Sequence, residues 1–371
     1  MKPAIPKKLP LASLGWGDLI PPIAAANRAL ALYEGILHGV PEPQVLLSPL
    51  TTNEAVLSSR IEGTRATLNE VLEFEAGAEI VEESKRQDIQ EIINYRRALR
   101  RAEEELVGRP FNLNLLKELH DILLDSVRGR NREPGRFRTT QNYIGARNAP
   151  IEQAAFIPPE PGLLLECLDN WERYYHAEER DALVQLAIVH AQFEIIHPFS
   201  DGNGRIGRIL VPLFLYERKI LSRPMFYLSG YLEEHRDEYI AHLRALNGPE
   251  SWNRWVRFFL GALVEQAREN ADKARGILAL YERLKVQVLG LTHSQYAIPL
   301  LDRLFRQPVF SSSSVTGAAA MPSKPMVMNL LRKLREAGIL TVVREGSGRR
   351  PQILALAELV NLCEGKPVFR M

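Results

Sequence analysis

His197, Asp201, Arg205 and Arg208 fall within twelve residues, His197-Pro-Phe-Ser-Asp-Gly-Asn-Gly-Arg-Ile-Gly-Arg208, interleaved with Gly202, Gly204 and Gly207. This is a set of groups for handling phosphates. Glycine permits backbone conformations that other residues resist and leaves N–H groups open to close approach by an anion. Arg205 and Arg208, three apart, share one face of a helical turn and can grip phosphate oxygens with forked, charge-assisted hydrogen bonds. Asp201 offers hard oxygen ligands to Mg²⁺, which binds through one or two carboxylates plus the phosphates of its substrate. His197, with an ordinary pKa near ~6.5, can take a proton from an attacking hydroxyl at neutral pH. Gly-Asn-Gly alone fits a helix cap equally well, but a cap uses neither the histidine nor both arginines.

The elements that must position these groups are helices. Asp181 to Ile196 reads as a helix running directly into the string, and the apolar run after Gly204 starts another, so the loop empties onto a helix N-terminus that favours anions. His190, two turns before His197, is expected to hold the loop from inside the core.

The twelve residues match without a gap the signature of the Fic family, HPFx(D/E)GNGRxxR, and the sequence resembles that family through them. The resemblance implies transfer of AMP from ATP to a hydroxyl side chain of a protein, with release of pyrophosphate. It makes His197 the general base and Asp201 the Mg²⁺ ligand. The backbone from Gly202 through Asn203 to Gly204 becomes an anion hole, and the turn Arg205-Ile206-Gly207-Arg208 carries the two arginines that hold the distal phosphates. Tyr239 is the implied neighbour of the adenine, with core packing as its other reading.

Ser58-Ser-Arg-Ile-Glu62-Gly63 has the form (S/T)xxxE(G/N) and resembles the inhibitory helix of self-regulating Fic proteins. The resemblance pairs Glu62 with Arg208, where the carboxylate takes the place of the ATP γ-phosphate and must be displaced before a triphosphate binds productively. Taken by itself the hexapeptide also reads as a plain helix end stopped by Gly63.

Length and composition (371 residues, 46% hydrophobic, 25% charged) give room for two or three globular domains, and a net charge of +2 excludes a global field for nucleic acid. Cys167 and Cys363 match no metal or disulfide spacing, which suits a reducing cytoplasm. The N-terminus lacks the apolar run of a signal peptide, and no stretch is long and apolar enough for a membrane span, so the expectation is a cytoplasmic protein without a membrane partner.

In chain order, residues 1–22 are proline-rich and expected as an extended arm, followed by a helix over Ile23–Leu37 and another after Pro49. Residues 66–107 alternate charges on solvated helix faces. Asn112 caps an amphipathic helix in which His120 is a packed or capping histidine. Between Arg128 and Pro159 the helical period disappears, and residues 135–145 and 154–159 are expected as the two strands of a hairpin around a Gly-Ala-Arg-Asn turn, with target specificity near Ile144 to Phe156. The resemblance makes it a flap that aligns the target by strand addition. Trp252, Trp255, Phe258 and Phe259 are core residues at helical spacing, and a further helix reaches about Lys285.

From about Leu291 the order helix, turn, helix, hairpin resembles a winged helix. Residues 321–350 hold seven Lys or Arg against two Glu, a local surplus of five, which suits either the phosphates of DNA or docking to a protein, a second copy of the chain included. The expected fold is mainly α. It comprises an N-terminal helical region (1–107) with the inhibitory helix, a Fic helical core (108–285) with a small β-hairpin flap, and a C-terminal winged-helix domain (286–371). The expected activity is transfer of AMP from MgATP to a Ser, Thr or Tyr hydroxyl of a target protein or of the chain itself, restrained by Glu62. The competing readings are hydrolytic removal of AMP at the same site and a DNA-binding regulator whose Fic core senses nucleotide.

Overall fold

Asp181 explains where the central helix begins: its carboxylate accepts from the N–H groups of Leu183 and Val184 at 2.9 and 3.0 Å, satisfying donors that a helix start leaves open. The computed structural model describes residues 2–125, 133–145, 150–246, 249–316, 321–347 and 350–370. In chain order its helices are α1 (Trp16–Gly39), α2 (Pro43–Leu46), α3 (Ser48–Ile61), α4 (Leu68–Glu75), α5 (Glu83–Leu106) and α6 (Leu113–Leu123). Then come α7 (Leu164–His176), α8 (Ala182–Ile196), α9 (Asn203–Glu217), α10 (Ser229–Glu234), α11 (Arg236–Arg244) and α12 (Pro249–Thr292). The last are α13 (Ala297–Arg306), α14 (Ser312–Val315), α15 (Lys324–Glu336) and α16 (Ala357–Glu364), among which β1 (Val309–Ser311), β2 (Thr341–Arg344) and β3 (Ile353–Ala355) are interspersed. The expectation of a mainly helical fold is met.

The chain divides into two compact units: Met1–Glu34, Leu57–Gly63 and Asn94–Arg268 in one, Gly35–Val56, Thr64–Ile93 and Glu269–Met371 in the other. In the first, α8 is buried on nearly every face, as a helix apolar all round must be. It packs against α7, α9 and α11, and the indole N–H groups of Trp171 and Trp255 donate to its Val189 and Ala187 carbonyls at 2.9 and 2.8 Å. Asn112 caps α6 as its sequence position predicts, accepting from Asn114 and Leu115 N–H at 3.0 Å.

Three expectations change here. The extended arm is shorter than residues 1–22, because α1 starts at Trp16 and runs through Pro21 and Pro22. Interior prolines cost a helix ~3 kcal/mol or more each, but packing prevails: Leu19 is fully buried and the Trp16 ring carries the Arg180 guanidinium at 5.2 Å. The remaining arm is pinned by Gln192, which donates to Lys7 O at 2.6 Å, and by a reciprocal pair of bonds between Leu9 and Asn170. Among the described residues the hairpin reduces to one antiparallel bridge, Ile144 with Phe156, followed by prolines at 158 and 159 that have no N–H to extend a ladder. The turn expected at residues 146–149 lies outside the described residues. Helix α12 runs on to Thr292, past the expected end near Lys285.

In the second unit the strands form an antiparallel sheet of order β1-β3-β2. Helix α15 buries Val327, Leu330, Leu331 and Leu334, one stripe at helical spacing. Ser311 caps α14 by accepting from Ser314 N–H at 3.1 Å. No helix among the described residues is long and apolar enough to cross a membrane.

Candidate active site

The loop from His197 to Gly202 joins α8 to α9, and each end turns through a left-handed residue. His197 closes α8 with φ 48°, and Gly202 opens α9 with φ 78°. Asn203 locks the loop between them, its side chain accepting from Phe199 N–H and donating to Phe199 O, both at 2.8 Å. Asn203 thus shapes the cradle through the Phe199 backbone.

Side chains outside the loop take up its carbonyls. Arg138, buried, donates from Nε to His197 O at 2.9 Å and from Nη2 to Pro159 O at 2.6 Å, and its backbone N–H donates to Pro198 O at 3.0 Å. Asn142 donates to Phe199 O and His120 Nε2 to Asp201 O, each at 3.0 Å. His120 also accepts from Gly135 N–H through Nδ1 and stacks on Phe199 at 3.7 Å. Burial drives its pKa down to about 4, so it is the neutral tautomer with hydrogen on Nε2. The negative ends of the loop's peptide dipoles are thereby neutralised locally, an arrangement that suits an anion site. Arg138 and Asn142 were not singled out from sequence. They stand among other polar residues, in Arg136-Phe-Arg-Thr-Thr-Gln-Asn142, so nothing local marked them.

His197 is half-buried, with Nδ1 3.3 Å from the Glu194 carbonyl. A carbonyl only accepts, so Nδ1 carries the hydrogen and Nε2 keeps a lone pair able to receive a proton. Burial lowers its pKa to about 4, so the ring is neutral at pH 7. Asp201 is 46% exposed at its side chain, accepts from Gly202 N–H at 2.6 Å and lies 3.6 Å from Arg205 Nη2. One exposed carboxylate beside an anion cradle fits Mg²⁺, which takes its remaining ligands from water and substrate phosphates.

Glu62 occupies the cradle. Its Oε1 is 2.6 Å from Arg208 Nη2, and a Cβ built on Gly204 would come within 2.2 Å of the same oxygen. Only glycine at 204 lets a carboxylate settle on the first turn of α9. Ser58 holds Arg208 as well, its Oγ accepting from Nε at 2.8 Å and its carbonyl from Nη2 at 2.9 Å. Desolvation by itself would raise the Glu62 pKa, but the charge and hydrogen bond of Arg208 outweigh it and hold the carboxyl below its ordinary value. Gly63, at φ 94°, ends the segment, and Arg236 Nε donates to Ile61 O at 3.1 Å.

Four of the expected site residues have these surroundings. The Ile206 side chain is fully buried in the core. Gly207 is glycine because Glu194 lies against it: a Cβ there would meet Glu194 Oε1 at 2.2 Å. Asn203 points its amide at Phe199. Tyr239 is only 4% exposed, with its hydroxyl 2.9 Å from His190 Nε2, as the core-packing reading of that residue has it. Glu194, three residues before His197, went unnoticed in the sequence because it looks like one acid in an apolar helix. Burial pushes its pKa up to about 7, with the Glu62 charge adding to the rise and Arg208 opposing it.

Comparison with known proteins agrees with this geometry. The profile described as Fic/DOC family N-terminal matches residues 20–104, which contain Ser58 to Gly63, and that described as Fic/DOC family matches residues 110–215, which contain the loop. The chain is 32% identical over 165 residues to protein adenylyltransferase fic-1 of Caenorhabditis briggsae, an alignment covering 40% of this chain and 30% of that one. It is 37% identical over 94 residues to a probable protein adenylyltransferase of Aquifex aeolicus, covering 24% and 26%. The chain thus spans between about a quarter and a third of the length of these curated relatives. A Fic family protein from Desulfovibrio desulfuricans G20 shares the fold at a TM-score of 0.58 and 20% identity, over 96% of this chain and 98% of that one. A Fic domain containing signaling protein from Bacteroides thetaiotaomicron does so at 0.55 and 18%, over 68% and 97%. The two profiles together span just over half of the residues, and the matched stretches are those that build the cradle and fill it: the chain belongs to the Fic/DOC family.

Proposed function

We propose that the protein transfers AMP from MgATP to a Ser, Thr or Tyr hydroxyl of a protein, and that Glu62 keeps the site closed until its segment withdraws. The observation that carries this is the Glu62 carboxylate seated on Gly204 and Arg208. It is an anion already occupying the place a distal phosphate needs. The names of the relatives support ATP as donor and protein as acceptor.

In the reaction, His197 Nε2 takes the hydroxyl proton as the hydroxyl oxygen bonds to the α-phosphorus. The bond from that phosphorus to the oxygen bridging toward the β-phosphate breaks, and pyrophosphate leaves with the electron pair. Arg208, freed from Glu62, and Arg205 hold its oxygens. Asp201 is the residue to hold Mg²⁺, which when bound would neutralise charge on the phosphates. The Ile144–Phe156 bridge is the place where an extended target segment would align.

The division into residues 1–107, 108–285 and 286–371 is proposed as a functional one of inhibitory region, catalytic core and winged-helix module. The antiparallel sheet and α15 support the last. Residues 321–350 are then a face for DNA or for protein, the chain's own second copy included. Cytoplasmic residence is proposed from the unpaired Cys167 and Cys363.

Purified wild type, Glu62→Gly and Glu62→Gly/His197→Ala proteins, incubated with α-labelled ATP, Mg²⁺ and lysate, test the reading. Label should pass to protein with Glu62→Gly, far less with wild type, and not at all with the double variant. Equal labelling by all three would overturn it.

A further inference from the structure

The arm ahead of α1 runs beside the bridge that the proposed function assigns to the target. Leu9, buried, fixes the inner end of the arm: its N–H and carbonyl both meet the Asn170 amide, at 2.8 and 2.9 Å, and Gln192 donates to Lys7 O at 2.6 Å. Farther out, Ala4 N–H donates to Ile157 O at 2.8 Å. Successive residues of an extended segment turn their backbone groups to opposite sides. Phe156 uses both of its groups on Ile144, donating at 3.1 Å and accepting at 2.8 Å, so Ile157 faces the other edge, and Ala4 lies on that edge. Just beyond, Pro158 O accepts from Gln141 Nε2 at 3.0 Å and Pro159 O from Arg138 Nη2 at 2.6 Å, the same guanidinium whose Nε holds His197 O. The edge that Ala4 covers is therefore tied closely to the base.

The pairing there is half made. Antiparallel residues that face each other across a hydrogen-bonded pair exchange N–H for carbonyl in both directions. Ile157 is buried, yet its N–H has no acceptor among the described residues, a group that ordinarily finds one. Pro3 and Pro6 flank the contact and have no N–H to lengthen a ladder, and Ile5 between them is 82% exposed and adds no burial. Gln192 is half satisfied too: its Oε1 is buried and without a partner among the described residues. Residues 2–12, Lys-Pro-Ala-Ile-Pro-Lys-Lys-Leu-Pro-Leu-Ala, contain no Ser, Thr or Tyr, so the arm offers nothing that could accept AMP.

We propose that the edge of the chain at Ile157 is where an extended segment of the target protein docks, and that residues 2–8 lie there as a resident strand without an acceptor hydroxyl, which the target displaces. This rests on the reading of the Ile144–Phe156 bridge given above, and adds which edge is used and what stands on it. A segment with both N–H and carbonyl free makes two bonds to Ile157 where the arm makes one. Leu9 stays on Asn170 throughout, so the arm leaves without disturbing α1, and its tether keeps it a standing competitor.

Two variants in a Glu62→Gly background carry the test: one lacks residues 2–8, and the other, Ala4→Pro, keeps the full chain and removes the N–H donor. Transfer of α-labelled AMP to lysate protein is followed at dilutions where the rate is proportional to the protein added, and ATP affinity by calorimetric titration with MgCl₂. Losing one competing backbone hydrogen bond should raise the rate about two- to tenfold in both variants, with ATP affinity as in the Glu62→Gly parent. At saturating lysate the three proteins should converge, because displacement is then complete. An unchanged rate overturns the proposal. So does a fall, which would make the arm a support for the bridge, and so does a rise matched by tighter ATP binding, which would put the effect at the nucleotide. If the truncated protein does not fold, Ala4→Pro decides alone. A Glu62→Gly parent that labels nothing rejects the reading of the whole site and this inference with it, whereas a labelling parent indifferent to both changes rejects only the role of the arm.

Discussion

The guanidiniums of the loop and those of the basic C-terminal stretch differ in what surrounds them. Arg208 and Arg205 have side chains 1% and 6% exposed, and Arg208 is gripped at 2.6 to 2.9 Å by Glu62 and Ser58. Arg332 and Arg350, by contrast, have side chains 52% and 64% exposed and are paired with Glu336 and Glu79, themselves more than half exposed. A pair of the second kind contributes about 0–1 kcal/mol and gives way to salt. A buried guanidinium cannot be left without a partner, so any anion that displaces Glu62 must take over its contacts. Charge density alone would have ranked the C-terminal stretch higher. Burial reverses the order.

The largest expected effect is the loss of the base. His197→Ala in a Glu62→Gly background should lower AMP transfer by about 10²–10⁴-fold, as removal of a general base does, with ATP binding retained in the same titration. Arg208→Lys follows. Lysine keeps the charge but lacks the fork that bonds Ser58 and Glu62 together, so ATP affinity of the Glu62→Gly protein should fall by about tenfold or more. Parity of Lys and Arg here would place Arg208 with the exposed arginines and erase the contrast.

Acid should act on the buried region specifically. His120, His190 and His197 have folded pKa values lowered by burial to about 4, 3 and 4. In the unfolded chain each takes a proton near ~6.5, so below that pH the unfolded state binds more protons and stability falls as pH drops toward 4. Glu194 opposes this: its pKa, raised to about 7 by burial, gives stability that is full below the unfolded value near ~4.5 and lost as pH rises through 7. Three groups against one leave a net uptake of about two protons on unfolding near pH 5. The thermal midpoint should therefore drop steadily between pH 6.5 and 5, and His190→Gln should flatten that slope. A midpoint independent of pH across this window would mean that the histidines are not held neutral.

How much of this was legible in the sequence follows from distance along the chain. The cradle was, because it is a single loop whose residue types and spacing are themselves the site. The caps Asn112 and Asp181 act on N–H groups two and three residues away, so local reading found Asn112 and the start of the Asp181 helix. Glu62 opposite Arg208, separated by 146 residues, was reached only through the resemblance to a family. Arg138, Glu194 and Tyr239 gave no comparable sign, since each takes its role from a partner that packing delivers, and composition cannot say which buried polar group faces which. Helix α1 shows the converse. Pro21 and Pro22 are a correct local signal against helix, overridden by the burial of Leu19 and the stacking of Arg180 on Trp16.

The smallest expected effects are in the C-terminal stretch, where they mark the other end of the contrast. Arg332 donates to both carboxylate oxygens of Glu336 at 2.7 and 2.9 Å, an exposed pair one helical turn apart. Such pairs contribute about 0.3–0.5 kcal/mol. Lys333 donates to Leu291 O at 3.2 Å from a half-buried position, and Arg349 lies outside the described residues. Arg332→Ala, Lys333→Ala and Arg350→Ala should each leave AMP transfer by the Glu62→Gly protein unchanged and shift the thermal midpoint by no more than a degree or two. Their charge can count only toward a partner with many phosphates, where each side chain adds one released counterion. Binding of the full chain to duplex DNA, followed against salt, should then lose about one unit of slope for each residue changed, whatever the sequence of the duplex. A flat salt dependence in the unaltered protein would assign this face to a protein partner. A loss of AMP transfer from any of the three would show that exposed charge matters to the chemistry after all, and the difference between the two sets of arginines would no longer be one of burial.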